Sequence, residues 1–499
     1  MKLFAPHAAD AYKAGHLRQY TPGTEVVYSN FTARGAKLAT KLPDFDNKAV
    51  WIGLHGVLQW MLRDLWNETF FSQPKAQVLG RFQRRMDYAL GPGAVDTKHM
   101  GALHDLGYLP LHIRALPEGS RVNLRVPFYT VSNTHPAFYW LTNYVESQLS
   151  AESWKTITNA TIAYEFWRLF HRYCEKTGGI ADFVRWQGHD FSMRGMSGIH
   201  DSAQSGFAHL SCFTGTDCFL ALDFAEDYYG ADASQESVGG SVPATEHSVV
   251  TMEGPDNELP FVRRLITELY PRGVVSSVSD SYDFWWMMTE GIKALHGDIM
   301  ARQPDMFGLQ KTVFRPDSGD PVLIVCGDPG APQGSPESKG AIRCLWDEFG
   351  GTKTSTGHKL LDPHVGLIYG DAITLERAAT ILERLDAQGF CSSNIVFGIG
   401  SYTYQHGTRD SLGHAYKSTY GRVNGVPREI FKDPKTDSGV KRSAKGLLRV
   451  EKHGDDFVLF DQQTTEQAAR GELNTVFVDG RITHHETLAG VRSRLGTFK

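Results

Sequence analysis

No run of about 18 apolar residues occurs anywhere in the chain, so the sequence offers no segment for a membrane-spanning helix. Its first residues, Met1-Lys-Leu-Phe-Ala-Pro-His7, lack the apolar centre of a secretory signal, and a cytoplasmic protein is the expectation. Cysteine is scarce. The six present, Cys174, Cys212, Cys218, Cys326, Cys344 and Cys391, form no C-x-x-C pair and no zinc spacing, which suits free thiols in a reducing compartment. Positive charge is not in excess: 51 Lys and Arg against 56 Asp and Glu leave a net charge of −5. That speaks against a nucleic-acid-binding surface as the main business of the protein, while leaving room for local basic pockets. There is no G-x-x-x-x-G-K-[ST] phosphate loop, so any ATP would be held in another way, and there is no fixed-period repeat.

What is present is an ordinary globular composition, with 41% hydrophobic and 21% charged residues over 499 positions, enough to bury a sizeable core. Length alone suggests about three domains. Residues 1–180 read as a helix-rich α+β domain. Apolar residues recur at helical spacing in 49–66, 72–90 and 161–176, and 108–114 and 121–131 alternate as strands do. From 181 to 425 short β-branched runs precede helical stretches: 274–278 before 284–295, 365–369 before 374–388, and 395–397 before a Gly-rich turn. Repeated β-then-α units predict an α/β fold with an irregular parallel barrel-like domain, whose ligands gather at the C-terminal strand ends. Residues 231–240 and 327–339 read as mobile loops. The segment 426–499 carries Lys432, Lys435, Lys441, Arg442 and Lys445, then strand-like stretches expected to return to the α+β domain.

The most telling segment is 312–321, Thr-Val-Phe-Arg-Pro-Asp-Ser-Gly-Asp-Pro, which runs from a strand-like stretch into a loop carrying Arg315, Asp317, Ser318 and Asp320. Such a loop can bring backbone N–H groups, a guanidinium and carboxylates together, as a sugar phosphate with bound Mg²⁺ requires. Read alone, the segment also suits an Asx turn begun at Pro316. Its company decides between the two. Val278-Ser-Asp-Ser-Tyr-Asp283, Ile368-Tyr-Gly-Asp371 and Asn394-Ile-Val-Phe-Gly-Ile-Gly400 are likewise short β-rich runs ending in small or acidic residues.

In this order the four segments resemble the nicotinamide phosphoribosyltransferases, type II phosphoribosyltransferases related to the nicotinate-using enzymes. Further matches are Asp10-Ala-Tyr-Lys13 with His16 and Tyr20, Val27-Tyr-Ser-Asn-Phe-Thr-Ala-Arg34, and the stretch from Phe128 to Glu146. They continue through His189-Asp-Phe-Ser-Met-Arg-Gly195, Gly215-Thr-Asp217, Ser241-Val-Pro-Ala-Thr-Glu-His-Ser248, Thr408-Arg-Asp410 and Phe431-Lys-Asp-Pro434. The resemblance implies transfer of a phosphoribosyl group from 5-phosphoribosyl 1-pyrophosphate to nicotinamide. It also implies Mg²⁺, ATP as co-substrate, and a homodimer whose active sites are shared, with no nucleic-acid or membrane partner.

Residue by residue, the resemblance implies that Phe191 stacks on one face of the pyridine ring and Tyr12 of the partner subunit on the other. Arg194 would bond the amide oxygen. Asp217 would accept from the carboxamide NH₂ and repel the carboxylate of nicotinate; read alone, it could instead cap a helix. Phosphoribosyl transfer passes through a transition state of oxocarbenium character and needs no nucleophilic side chain, only a held ribose, a neutralised pyrophosphate and an in-line base. Asp280 and Asp317 would face the ribose and the Mg²⁺ or its waters, Asp371 the ribose hydroxyls, and Arg315 a phosphate. Gly370, Gly398, Gly400 and Ser401 would offer backbone N–H groups to the 5′-phosphate, though the run Gly398-Ile-Gly400-Ser401 holds fewer glycines than is usual for the family. Arg34, Arg409 and Lys417 would reach the pyrophosphate across a dimer interface, and His247 would be phosphorylated by ATP. The rivals are a nicotinate phosphoribosyltransferase with the same sugar site and a catalytically silent binding or signalling protein on the same fold.

Overall fold

Short, largely buried strands, several rich in β-branched residues, form the central sheet of the protein, seen here in a computed structural model that describes residues 2–40, 42–431 and 444–498. Six strands lie in the order Gly215–Thr216, Gly188–Asp190, Ile395–Ile399, Val365–Tyr369, Thr312–Arg315 and Val275–Val278. Every neighbouring pair is parallel. Val275–Val278 and Val365–Tyr369 are buried along their whole length, as expected where helices cover one face of a parallel sheet and a packed interior fills the other.

The two edges of this sheet do not stay open. Residues 240–245 run between them, bridging Gly215 through Gly240 and Ser276 through Ala244, both in parallel sense. Thr216 N donates to Gly240 O at 2.9 Å, and Thr245 N to Ser276 O at 3.0 Å. The segment is therefore a seventh stave that closes the barrel. Its approach, expected as part of a mobile loop over 231–240, is instead fastened from behind: Val238 is buried and its carbonyl accepts from Arg492 at 2.6 Å.

Helices are cut where the sequence caps them. Leu375–Ala387 begins at Thr374, whose hydroxyl accepts from Arg377 N, and it buries Leu375, Ala378, Ile381, Leu382 and Leu385 as one stripe. Pro321–Cys326 starts with Pro at its first position and with Asp320 accepting from Val322 N and Leu323 N. Asp320 is thus a helix cap, not a member of the polar loop that precedes it.

A second sheet has seven antiparallel strands, in the order Val426–Glu429, Ala415–Val423, Thr24–Thr32, Pro127–Asn133, Leu111–Ala115, Asn474–Val478 and Arg481–Ile482. Ala415–Val423 precedes the boundary expected at 425, yet it pairs with Thr24–Thr32. The run 49–66, read from its spacing as one helix, opens as the strand Lys48–Trp51 paired with Ser120–Asn123 and turns helical only from Leu54. Four apolar residues in a row, Ala49 to Ile52, fit either period, and pairing with a neighbouring strand decides. The 32-residue helix Glu146–Thr177 packs against both the strand Lys48–Trp51 and the helix Ile199–Leu210 of the barrel side. Lys432, Lys435, Lys441 and Arg442, with the Lys432 to Pro434 part of the last sequence match, lie outside the described residues.

Arg492, on the C-terminal helix Leu488–Leu495, is 5% exposed. Its guanidinium donates to the carbonyls of Leu210, Phe213, Ser237 and Val238. Exchange for an apolar side chain of similar length leaves those carbonyls unpaired in a buried place. Arg492→Met is therefore expected to lose about 3 kcal/mol, read as a lower midpoint in urea unfolding; an unchanged midpoint would show that water replaces the guanidinium without loss.

Candidate active site

Because all seven staves run the same way, their C-terminal ends share one rim, and the candidate residues stand one or two positions beyond those ends. Phe191 follows Gly188–Asp190, Asp217 follows Gly215–Thr216, Asp280 follows Val275–Val278, Asp317 follows Thr312–Arg315, Asp371 follows Val365–Tyr369, and Gly400 and Ser401 follow Ile395–Ile399. His247 follows the closing stave. Arg315 is the last residue of its own strand.

Phe191 is half-buried, and its ring lies across two glycines. A Cβ at Gly398 would come within 2.3 Å of the ring and 2.7 Å of Gly370 Cα, and one at Gly370 within 2.7 Å of the ring. These glycines are therefore the floor under the aromatic ring, a role that sequence reasoning missed. The run of small residues was the only signal. His189 stands beside the ring at 5.1 Å between centroids.

His189 also orients Asp217, with Nε2 3.1 Å from Oδ1, and the Ser241 hydroxyl of the closing stave donates to the same oxygen. Burial raises the Asp217 pKa, but the hydrogen bonds from His189 and Ser241 and the charges of His189 and Arg315 outweigh it and hold the carboxyl below its ordinary value. Asp217 caps no helix. The helix Phe219–Tyr229 starts after Cys218, whose N–H is taken by the Thr216 hydroxyl at 3.0 Å.

Across the closing stave from Asp217, Asp280 is nearly buried, 3% exposed at its side chain. Its Oδ2 accepts from Asp317 N at 2.8 Å and from the Ser318 hydroxyl at 2.6 Å. Its Oδ1 is buried without a hydrogen-bond partner and lies 3.6 Å from His247 Nε2. The other ring nitrogen of His247 meets the Ser281 hydroxyl at 3.0 Å. Ser281 was not singled out from the sequence; the matched run Val278 to Asp283 contains it. Arg315 donates to Thr245 O at 2.8 Å and places Nε 3.4 Å from Asp317 Oδ2. Burial pushes the Asp317 pKa above its ordinary value, Arg315 and His247 oppose the rise, and Asp280 and Asp371 add to it.

Beyond Asp371 the backbone of Ala372 sits at φ 49°, a left-handed conformation costly for a residue with a Cβ, and Arg377 holds its carbonyl at 2.6 Å. Ser401 packs on Gly195, where a Cβ would fall within 2.1 Å of the Ser401 hydroxyl oxygen. That contact joins the turn Met193–Gly195, which carries the exposed Arg194, to the loop of Gly400. Tyr12, Arg34, Arg409 and Lys417 are not on barrel strands. Tyr12 is 61% exposed near the N-terminus, Arg34 bonds Gly413 O beside Arg409, and Lys417 pairs with Asn30 in the antiparallel sheet.

The comparison with known proteins gives this rim a family. The model of the nicotinate phosphoribosyltransferase family matches residues 186–481. The chain belongs to that family. It is 58% identical over 489 residues to a nicotinamide phosphoribosyltransferase of Acinetobacter baylyi, covering 98% of this chain and 96% of the relative. A nicotinamide phosphoribosyltransferase of Mycoplasma pneumoniae is 33% identical, with 86% of this chain and 92% of the relative covered. The solved nicotinate-nucleotide pyrophosphorylase of Pyrococcus furiosus shares the fold at a TM-score of 0.56 and 12% identity, covering 98% of this chain and 94% of its own. The family domain thus contains every barrel residue described above, including the closing stave.

The glycine floor supplies a test. Gly398→Ala inserts a methyl group where the Phe191 ring and Gly370 Cα already touch, so the ring must tilt or move by about 1 Å. Phosphoribosyltransferase activity is expected to fall about 100-fold in kcat/KM while circular dichroism keeps the native spectrum. Wild-type kinetics in this variant would show that the ring position is not set by the glycines.

Proposed function

We propose that the protein transfers the phosphoribosyl group of 5-phosphoribosyl 1-pyrophosphate to nicotinamide, giving nicotinamide mononucleotide and pyrophosphate in the salvage of NAD. The observation that carries this reading is Asp217, a carboxylate kept ionised by His189 and Ser241 on the same rim as Phe191. A charged acceptor there favours an amide, whose NH₂ it can receive, and disfavours the carboxylate of nicotinate. The names of the two curated relatives support the same choice.

In this reading Phe191 offers one aromatic face to the pyridine ring and Arg194 meets the amide oxygen. Tyr12 of the partner subunit would close the other face, with Arg34, Arg409 and Lys417 reaching the pyrophosphate in a homodimer. Their place on and beside the antiparallel sheet, away from the barrel strands, supports a role in trans. Arg315 neutralises phosphate charge, Asp371 receives ribose hydroxyls, and Gly370, Gly400 and Ser401 turn backbone N–H groups toward the 5′-phosphate. Positive charge developing at the ribose is balanced by Asp317 and Asp280.

Among the described residues no group of three or more His, Cys, Asp or Glu side chains is arranged to hold a metal ion by itself. The residues nevertheless fit Mg²⁺, which is commonly held by one or two carboxylates together with substrate phosphates, and the buried, unpartnered Oδ1 of Asp280 would be such a ligand. Asp280 and Asp317 would hold it, and it would supply charge neutralisation to the leaving pyrophosphate. ATP enters as a co-substrate that phosphorylates His247, whose exposed ring is steadied by Ser281 and Asp280. No helix among the described residues is long and apolar enough to cross a membrane. A cytoplasmic setting belongs to this proposal.

Two substitutions test it. Asp217→Asn removes the charge but keeps the shape, so kcat/KM for nicotinamide is expected to drop about tenfold while discrimination against nicotinate relaxes; initial rates with both bases measure this, and an unaltered ratio would exclude Asp217 from base choice. His247→Ala is expected to abolish phosphohistidine and ATP stimulation and to leave synthesis measurable without ATP. ATP hydrolysis that still keeps step with product in that variant would move the coupling elsewhere.

A further inference from the structure

Two loops of the rim are tied to each other from behind by a cluster that none of the assigned roles uses. Lys155 lies on the helix Glu146–Thr177, and its ammonium reaches Asp201 Oδ2 at 2.6 Å. The pair is well covered, with side chains 12% and 20% exposed. Asp201 in turn accepts from Ser197 N at 2.8 Å, in the loop that follows Arg194. The same ammonium bonds the side-chain oxygen of Gln405, and the Gln405 amide nitrogen donates to the Ser197 hydroxyl. Gln405 ends the short helix Ser401–Tyr404, its N–H bonded to Ser401 O at 2.7 Å. A single ammonium on a long rigid helix thus holds the Arg194 loop through Asp201 and the Ser401 loop through Gln405. The Gly195 and Ser401 contact joins the same two loops.

We propose that Lys155 is a positioning residue that couples the base subsite at Arg194 to the phosphate subsite at Ser401, through its shared contacts to Asp201 and Gln405. The proposal rests on the assignment of those two subsites under the proposed function. A group that fixes two loops at once makes their order reciprocal: ligand at either loop favours the closed arrangement of the other. A free ammonium would not do this. Partial burial and charge-assisted hydrogen bonds to both partners make the arrangement specific.

Lys155→Met keeps the stem of the side chain and removes its charge and donors. The expected result is a rise of about tenfold in KM for both nicotinamide and 5-phosphoribosyl 1-pyrophosphate, with kcat within about twofold, and with most of the loss recovered in Lys155→Arg. Hydrogen exchange of the full-length protein without substrate is the second readout. Amides of residues 193–198 and 401–405 are expected to lose protection together in Lys155→Met. Exchange does not depend on which base is used, so a wild-type protein active only with nicotinate would defeat the nicotinamide reading and leave the clamp to be judged with nicotinate. A fall in thermal stability with both KM values unchanged would make Lys155 a structural ion pair and overturn the proposal, as would a rise in KM for one substrate alone or faster exchange in one loop alone. Should Lys155→Met fail to fold, Gln405→Leu cuts the link at the helix end and is held to the same joint rise and joint loss of protection.

Discussion

The site depends on barrel closure by residues 240–245, which hydrogen-bond to both open edges of a parallel sheet. An unclosed sheet of this kind leaves rows of unpaired backbone groups at each edge. Closure removes them and also sets distances across the rim. It brings Ser241 to Asp217 on one side and Thr245 to Arg315 on the other, so Asp217 and Arg315 are joined through a few residues of extended chain. The segment itself has no ladder of its own, and it is held by what lies behind it, including the buried guanidinium of Arg492.

Charge at the rim is unbalanced by design of the sequence. Asp280, Asp317 and Asp371 crowd one side, and their repulsion adds to burial in pushing up the Asp317 pKa. Arg315 and His247 oppose that push, yet Asp280 Oδ1 stays without a hydrogen-bond partner. A buried carboxylate oxygen in that state costs stability in the empty protein. Under the proposed function a cation and a polyanionic substrate would offset that cost. Across the closing stave the arrangement differs: Asp217 is already satisfied by His189 and Ser241, so its orientation is fixed before any ligand arrives.

The antiparallel sheet contributes by collecting distant parts of the chain. Thr24–Thr32 lies between Pro127–Asn133 and Ala415–Val423, and residues beyond 470 complete the far edge. Arg34 and Arg409 lie beside each other next to this sheet, and Lys417 stands on it opposite Asn30, through pairing of segments nearly 400 positions apart, which is why each reads as an ordinary surface charge until the pairing is known. The helix Glu146–Thr177 runs from this layer to the barrel and carries Lys155 to the back of the rim.

Much of the barrel was legible in the sequence because its strands are buried on both faces and announce themselves as β-branched runs ending in Gly, Asp or Ser. Val365–Tyr369 and the helix after Thr374 stand where the pattern puts them, and the resemblance carried the rim residues one by one. Local sequence could not separate strand from helix at Ala49 to Ile52, since four apolar residues satisfy both periods. It gave no sign of the closing stave, which makes isolated bridges and no ladder, and only a run of small residues to mark the floor that Gly370 and Gly398 form under Phe191. Order of apolar and polar residues along the chain determined which segments become strands and which loops carry acids. Only the tertiary structure decided which of those loops meet, because barrel closure brings Ser241 to Asp217 and packing of the helix Glu146–Thr177 behind the rim brings Lys155 to Gln405, neither of which follows from spacing in the chain.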